Sequence, residues 1–149
     1  MTRPTMKPWN WTWKNVDLPS EIADGLALRF EAGVFSEAVR RTDWNEATPQ
    51  HIGLLVRLGE LYSRLQWLDK GLEVDRLLVR LHPTEPIYHY NLACSHSLLG
   101  EVDEAFAALS RAISLGYDNL SFLRQDEDLA NLKQDRRFGR LIAQLESSS

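Results

Sequence analysis

Small residues recur along this chain at an interval close to 34 positions. Ala38, Gly71 and Ala105 each stand near the start of a segment with helical periodicity, and they are 33 and 34 residues apart. Such a period indicates a repeated pair of helices, because each unit of a repeat protein buries its apolar face on its neighbour. The spacing therefore predicts an all-α fold of antiparallel helix hairpins.

The breakers between the periodic segments place the ends of the helices. Apolar residues recur at intervals of three and four from Ser20 onward, without strand-like alternation. The prolines between His82 and Pro86 stop one helix, and Gly116 suits a left-handed C-cap. Six helices are predicted, at 20–33, 36–44, 50–65, 68–81, 87–99 and 103–115, and they pair into hairpins over 20–50, 51–85 and 86–119.

The third hairpin has the clearest family pattern, YNLACSHSLLGEVDEA from Tyr90 to Ala105. The chain resembles the tetratricopeptide repeat family in this segment, and the second hairpin matches at Leu58, Gly59, Tyr62, Gly71 and Pro83. The first hairpin matches only over 33–39. The resemblance implies a right-handed superhelix of three hairpins, an α-solenoid, whose concave groove binds a peptide or protein.

Residues 120–149 are predicted to form a C-terminal helical cap, because the last repeat of a solenoid exposes an apolar face. Asp135 stands near the start of the final amphipathic helix. The acidic residues 126–128 are assigned to a helix start, since the alternating ligands and central glycine of a calcium loop are missing. The whole segment resembles the closing segment that often follows the last tetratricopeptide repeat in bacterial proteins.

Residues 1–19 form an arm rich in tryptophan and proline. Trp9, Trp11 and Trp13 share one face of an extended backbone. Three hypotheses stay open for the arm. It caps the first hairpin, it lies in the groove as an internal ligand, or it contacts a partner or a second copy of the chain, since tryptophan is enriched at binding hot spots.

Composition and motifs exclude several classes of function. The net charge of −4 over 149 residues disfavours binding to nucleic acid or to an anionic membrane, and no apolar run is long enough to span a bilayer. The single cysteine, Cys94, and the absence of a signal peptide favour the cytoplasm. No catalytic, cofactor or metal motif occurs, and His89 and His96 fall at packing positions, so we expect a protein that is not an enzyme.

The candidate binding residues lie on the first helix of each predicted hairpin, which the resemblance places along the groove. Arg57, Arg64 and Asn91 supply donors for a carboxylate or for the carbonyls of an extended peptide, although only Asn91 matches the family's clamp for chaperone tails. The full set is Phe30, Arg57, Glu60, Arg64, Tyr90, Asn91 and Cys94.

The expected function is that of a protein-binding adaptor without a cofactor, as a monomer or weak homodimer. Two alternatives stay open: a secretion-type chaperone, and a structural subunit that self-associates through the tryptophan arm.

Overall fold

The computed structural model describes residues 20–148, so the predictions for Trp9, Trp11 and Trp13 lie outside the described residues. All regular structure in this range is helical, which confirms the all-α prediction. Two short 3₁₀ helices occur at Trp44–Glu46 and Glu127–Leu129. The α-helices are α1 (Ser20–Arg40), α2 (Pro49–Arg64), α3 (Leu68–Leu81), α4 (Pro86–Leu98), α5 (Val102–Ser114), α6 (Leu120–Gln125), α7 (Ala130–Lys133) and α8 (Arg136–Ser147).

The four central helices, α2 to α5, begin and end within one residue of their predicted bounds. Local signals explain this agreement. At the start of α2, the Thr48 side chain accepts a hydrogen bond from the backbone N–H of His51, and the His51 ring accepts one from the Thr48 N–H. Pro49 fills the first helical position, where a missing N–H costs nothing.

The turns that end α2 and α4 repeat each other, 34 residues apart. Each contains a residue in the left-handed conformation, Gln66 with φ 57° in the first turn and Gly100 with φ 77° in the second. Both turns are Schellman motifs, in which two backbone N–H groups beyond the helix satisfy its last carbonyls. After α2, the N–H of Trp67 donates to Tyr62 O at 2.9 Å and the N–H of Gln66 donates to Ser63 O at 3.0 Å. After α4, the matching bonds run from Glu101 N to His96 O at 2.9 Å and from Gly100 N to Ser97 O at 3.0 Å.

Consecutive helices from α1 to α5 pack against one another. Small residues allow the close approaches: a Cβ atom added to Gly59 on α2 would lie 3.4 Å from the Val74 side chain on α3. Ala105 on α5 is fully buried. The apolar side chains form two core clusters, one among α1, α2 and α3 and the other among α4, α5 and the C-terminal segment.

The predicted first hairpin is wrong, because residues 20–40 form the single helix α1 instead of two helices that separate near Gly33. A glycine inside a helix costs only about 1 kcal/mol relative to alanine, and no proline or capping side chain accompanies this one. The end of α1 is supported by Glu37, whose carboxylate pairs with Arg40 (2.7 Å) and Arg41 (2.6 Å). Hydrogen bonds from these arginines lower the pKa of Glu37 to about 2.

The C-terminal segment packs on α4 and α5. Leu123, Leu129 and Leu132 are fully buried in the cluster that these two helices share with it. Asp135 caps α8 by accepting a hydrogen bond from the backbone N–H of Arg137 at 2.9 Å, as its position in the sequence predicted. Within residues 20–148, we find no helix that combines the length and the apolar character needed to cross a membrane.

Candidate functional site

A pocket of about 600 Å³ opens between α2, α3, α4 and the segment that follows α5. Aromatic and aliphatic side chains form much of its wall, among them Tyr62, Trp67, Leu98 and Phe122. A cavity of this size, with apolar walls and a few polar groups, is typical of ligand sites. The charged residues that line it are Glu60, Arg64, Asp75, Asp126 and Asp128.

Asp126 joins the C-terminal segment to α4. One of its carboxylate oxygens, Oδ2, accepts a hydrogen bond from the Tyr90 hydroxyl at 2.6 Å and a longer one from the Cys94 thiol at 3.6 Å. The other oxygen accepts from the backbone N–H of Asp128 at 3.0 Å, which starts the second 3₁₀ helix. Asp126 therefore has the predicted helix-start role and, in addition, forms part of the pocket wall.

Tyr90 and Cys94 line the pocket beside Asp126 and are almost fully buried. The Tyr90 ring stacks on Tyr117 at a centroid distance of 4.3 Å. Burial raises the pKa of the Tyr90 hydroxyl, as does its hydrogen bond to Asp126. Burial also raises the pKa of the Cys94 thiol, and the charges of Asp126 and Asp128 add to the effect. A thiol held in its protonated form is a poor nucleophile.

Asp75 supplies a buried carboxylate from α3. Its Oδ2 atom accepts a hydrogen bond from the Ser95 hydroxyl of α4 at 2.5 Å. Burial raises the pKa of Asp75 to about 6, although the Ser95 hydrogen bond and the nearby His96 act in the opposite direction. The pocket therefore contains a carboxylate that is harder to ionise than an exposed one.

Five of the seven predicted binding residues line this pocket: Glu60, Arg64, Tyr90, Asn91 and Cys94. They come from α2 and α4, the first helices of the second and third predicted hairpins.

The other two predicted binding residues, Phe30 and Arg57, do not line the pocket. Phe30 lies on α1 with three quarters of its surface exposed. Arg57 pairs with Glu31 of α1 at 2.8 Å and with Glu60 at 3.2 Å, so its guanidinium links α1 to α2. The predicted donor set of Arg57, Arg64 and Asn91 is therefore not assembled in one place.

Sequence reasoning missed several residues of the pocket. Asp75 stands among the buried apolar residues of α3, and a charged residue within this apolar pattern is the signal in the sequence that could have identified it. Trp67 lies in the turn between α2 and α3 and lines the pocket from there. Asp128 is brought in by the return of the C-terminal segment along α4, a contact between distant parts of the sequence that no local pattern indicates.

The side chains of Cys94, Asp126 and Asp128 each place a ligand atom within 4.8 Å of the others. This is a geometry that a metal ion accepts. However, the cysteine thiol is the donor of a hydrogen bond to Asp126 in this arrangement. The three groups form one hydrogen-bonded corner of the pocket.

Two comparisons with known proteins bear on this chain. No model of a protein family matches it. The chain is similar to a chloroplastic protein of Arabidopsis thaliana, with 29% identity over 96 residues. The matched region covers 62% of this chain and 29% of the Arabidopsis protein, so the chain spans less than a third of that relative's length.

Proposed function

We propose that this chain is a tetratricopeptide-like repeat protein that binds a peptide segment of a protein partner in the pocket between α2, α3 and α4. It catalyses no reaction in this proposal. The observation that carries it is the pocket itself: a cavity of about 600 Å³ whose lining combines apolar side chains with a few polar and charged ones.

The matched turns after α2 and α4 support the repeat arrangement. Their backbone hydrogen bonds and left-handed residues recur at an interval of 34, which is the period of this repeat family. Gly59 and Ala93 occupy equivalent positions on α2 and α4, again 34 residues apart. The proposed solenoid contains two such hairpins, preceded by α1 and followed by the C-terminal segment as a cap.

The position of the pocket supports the binding role. In a repeat solenoid, the first helices of adjacent hairpins line a continuous surface that extended peptides occupy. Here α2 and α4 contribute Arg64 and Asn91 to the pocket edge, and Leu98 presents about a third of its surface beside them. A reducing compartment such as the cytoplasm suits the single cysteine, which is buried as a free thiol.

A self-associating subunit is the second candidate. Leu26, Phe30 and Val34 are spaced by four on α1, and their side chains are 39%, 75% and 53% exposed. Such a stripe of apolar side chains on one helix face is typical of a contact surface. Sedimentation of the wild-type chain and of Phe30→Glu distinguishes the two candidates, because only a self-associating chain shows a concentration-dependent mass that the substitution abolishes.

Selection of peptides from a phage-displayed random library tests peptide binding without knowledge of the partner. The immobilised full chain is expected to enrich peptides with a shared motif. Their affinity is then measured by calorimetry for the wild type and for Leu98→Trp, which fills the pocket. We expect Leu98→Trp to weaken binding by at least about tenfold, which corresponds to about 1.4 kcal/mol.

Ile87→Trp is the matched control for this experiment. Ile87 lies on the same helix with a similar exposed fraction, 42% against 36% for Leu98, but it does not line the pocket. Ile87→Trp is expected to bind as the wild type does, and both variants should keep the wild-type circular dichroism. If no peptide is enriched, or if the enriched peptides bind all three proteins equally, the proposed function is wrong.

A further inference from the structure

The pocket wall has an excess of acidic groups. Four carboxylates line it, of which Glu60 is paired with Arg57 at 3.2 Å, and Arg64 is the one basic side chain among its lining residues in the described part of the chain. The carboxylates come from separate elements: Glu60 from α2, Asp75 from α3, and Asp126 and Asp128 from the segment after α6. A concave wall of one sign attracts ligands of the opposite sign and repels those of the same sign.

Asp75 adds an observation that is independent of this count. Its side chain is nine-tenths buried, and it lines the pocket. Ser95 donates to one oxygen, Oδ2, whereas no residue between 20 and 148 donates to the other. No lysine or arginine of that range forms an ion pair with it. The ring of His96 lies near the carboxyl, but its Nδ1 atom is bonded to Glu101 at 2.5 Å.

The other oxygen of Asp75, Oδ1, is not among the fully enclosed polar atoms that lack a partner, so a ligand is able to reach it. Burial still disfavours the charge of the carboxylate, because its desolvation is not fully compensated by the one hydrogen bond from Ser95. The raised pKa of Asp75, about 6, has the same cause. Such costs are typical of ligand sites, where the missing partner arrives with the ligand. A cation that donates hydrogen bonds to Asp75 would supply this partner.

The aromatic side chains beside Asp75 also suit a cation. Tyr62 and Trp67 both line the pocket, with ring centroids 5.9 Å apart. The ammonium group of Lys70 lies over both rings, 4.6 Å from the Trp67 centroid and 5.8 Å from the Tyr62 centroid, so this aromatic pair already contacts one cation of the chain itself. Aromatic faces attract ammonium and guanidinium groups through the quadrupole of the ring.

We propose that the pocket binds a lysine or arginine side chain of a basic peptide segment, with the charged head paired to Asp75 and the acidic wall facing the rest of the segment. This inference rests on the proposed function, since it names the chemistry of the peptide that the pocket binds. It differs from the sequence-based expectation that Arg57, Arg64 and Asn91 hold a carboxylate or the carbonyls of an extended peptide, because Arg57 is paired with Glu31 and Glu60.

Three degenerate peptide libraries test this inference. They share uncharged residues at all flanking positions and differ only in the fixed central residue, which is lysine, norleucine or glutamate. Norleucine keeps the alkyl chain of lysine and removes the charge. Binding to the full chain is measured by fluorescence anisotropy in buffer that contains EDTA. We expect the lysine library to bind at least about tenfold more tightly than the norleucine library, and the glutamate library to bind most weakly.

The variant Asp75→Asn tests whether the preference for lysine arises in the pocket. It is expected to reduce the affinity for the lysine library to that for the norleucine library, and to leave the norleucine library unchanged. Glu73→Gln is the matched control, because Glu73 is an exposed carboxylate on the same helix that does not line the pocket. This control should keep the full preference for lysine.

The outcomes separate this inference from the proposed function. If the three libraries bind equally, or glutamate binds best, the pocket takes a peptide but not a cation, and the inference fails alone. If no library binds, the proposed function fails with it. If the lysine preference survives Asp75→Asn, the Asp75 carboxylate does not have the role proposed.

Discussion

Replacement of Asp75 by asparagine is predicted to stabilise this protein at neutral pH. Burial raises the pKa of the Asp75 carboxyl from its ordinary value of 3.8 to about 6 in the folded chain. The folded state therefore binds the proton more tightly than the unfolded state. The contribution of Asp75 to the free energy of unfolding is fully present below about pH 4, and it is lost as the pH rises through about 6.

The size of the effect follows from the shift in pKa. One pKa unit corresponds to 1.36 kcal/mol, so a shift of about two units lowers the stability at pH 7 by about 3 kcal/mol relative to pH 4. Asparagine carries no charge at either pH, and its carbonyl oxygen is able to accept the hydrogen bond that Ser95 now donates. Asp75→Asn should therefore match the wild type near pH 4 and exceed its free energy of unfolding by up to about 3 kcal/mol above pH 7.

Urea unfolding followed by circular dichroism, repeated between about pH 4 and pH 8, measures the effect. The other ionisable groups, including Asp128, whose pKa is raised by burial, also contribute to the pH dependence of stability. These groups are present in both proteins, so the difference between the two stability curves isolates Asp75. Glu73→Gln serves as the control and should give a flat difference curve. A flat curve for Asp75→Asn, or a less stable variant at pH 8, would refute the uncompensated buried charge.

Two further predictions test the repeat register and are measured by the same unfolding experiment. Gln66→Gly should stabilise the fold by about 1 kcal/mol because glycine adopts the left-handed conformation without steric cost, while the converse change at the matched turn, Gly100→Ala, should destabilise it by a similar amount. Ala105→Leu should cost about 1 to 3 kcal/mol by overpacking a fully buried position on α5, and an unchanged midpoint would mean that α5 does not approach its neighbour there.

The central helices were predictable because their ends are determined locally. Proline at the first position of α2 and of α4, and glycine after α4 and α5, act through the conformation of one or two residues. Where such a signal was weak the prediction was wrong: Gly33 alone does not end a helix, and α1 continues to Arg40. Gln66 shows the converse, since a left-handed turn forms there without glycine, and the Gln66 side chain donates a hydrogen bond to the Ser63 carbonyl at 2.9 Å.

The pocket could be predicted only in part, for a different physical reason. Helical periodicity identifies which residues of one helix share a face, and the repeat resemblance placed Glu60, Arg64 and Asn91 along one surface; all three line the pocket. It does not identify which charges are already paired. Arg57 lies on the same helix as Arg64, seven positions earlier, but its guanidinium is paired with Glu31, which lies 26 positions away in the sequence.

The charge of the pocket depends on such long-range pairings, and they change the expected ligand from an anion to a cation. Pairing with Glu31 and Glu60 removes Arg57 from the donor set, while the return of the C-terminal segment adds Asp126 and Asp128 to the wall. The pairing with Arg57 partly offsets the charge of Glu60, so the negative balance of the pocket rests on Asp75, Asp126 and Asp128 against Arg64. Because an ion pair with a cationic ligand strengthens as the surrounding dielectric falls, the carboxylate that matters most is the one with the least exposure. That residue is Asp75, and its substitution separates the two effects on which the proposal depends, a gain in stability and a loss of affinity for lysine.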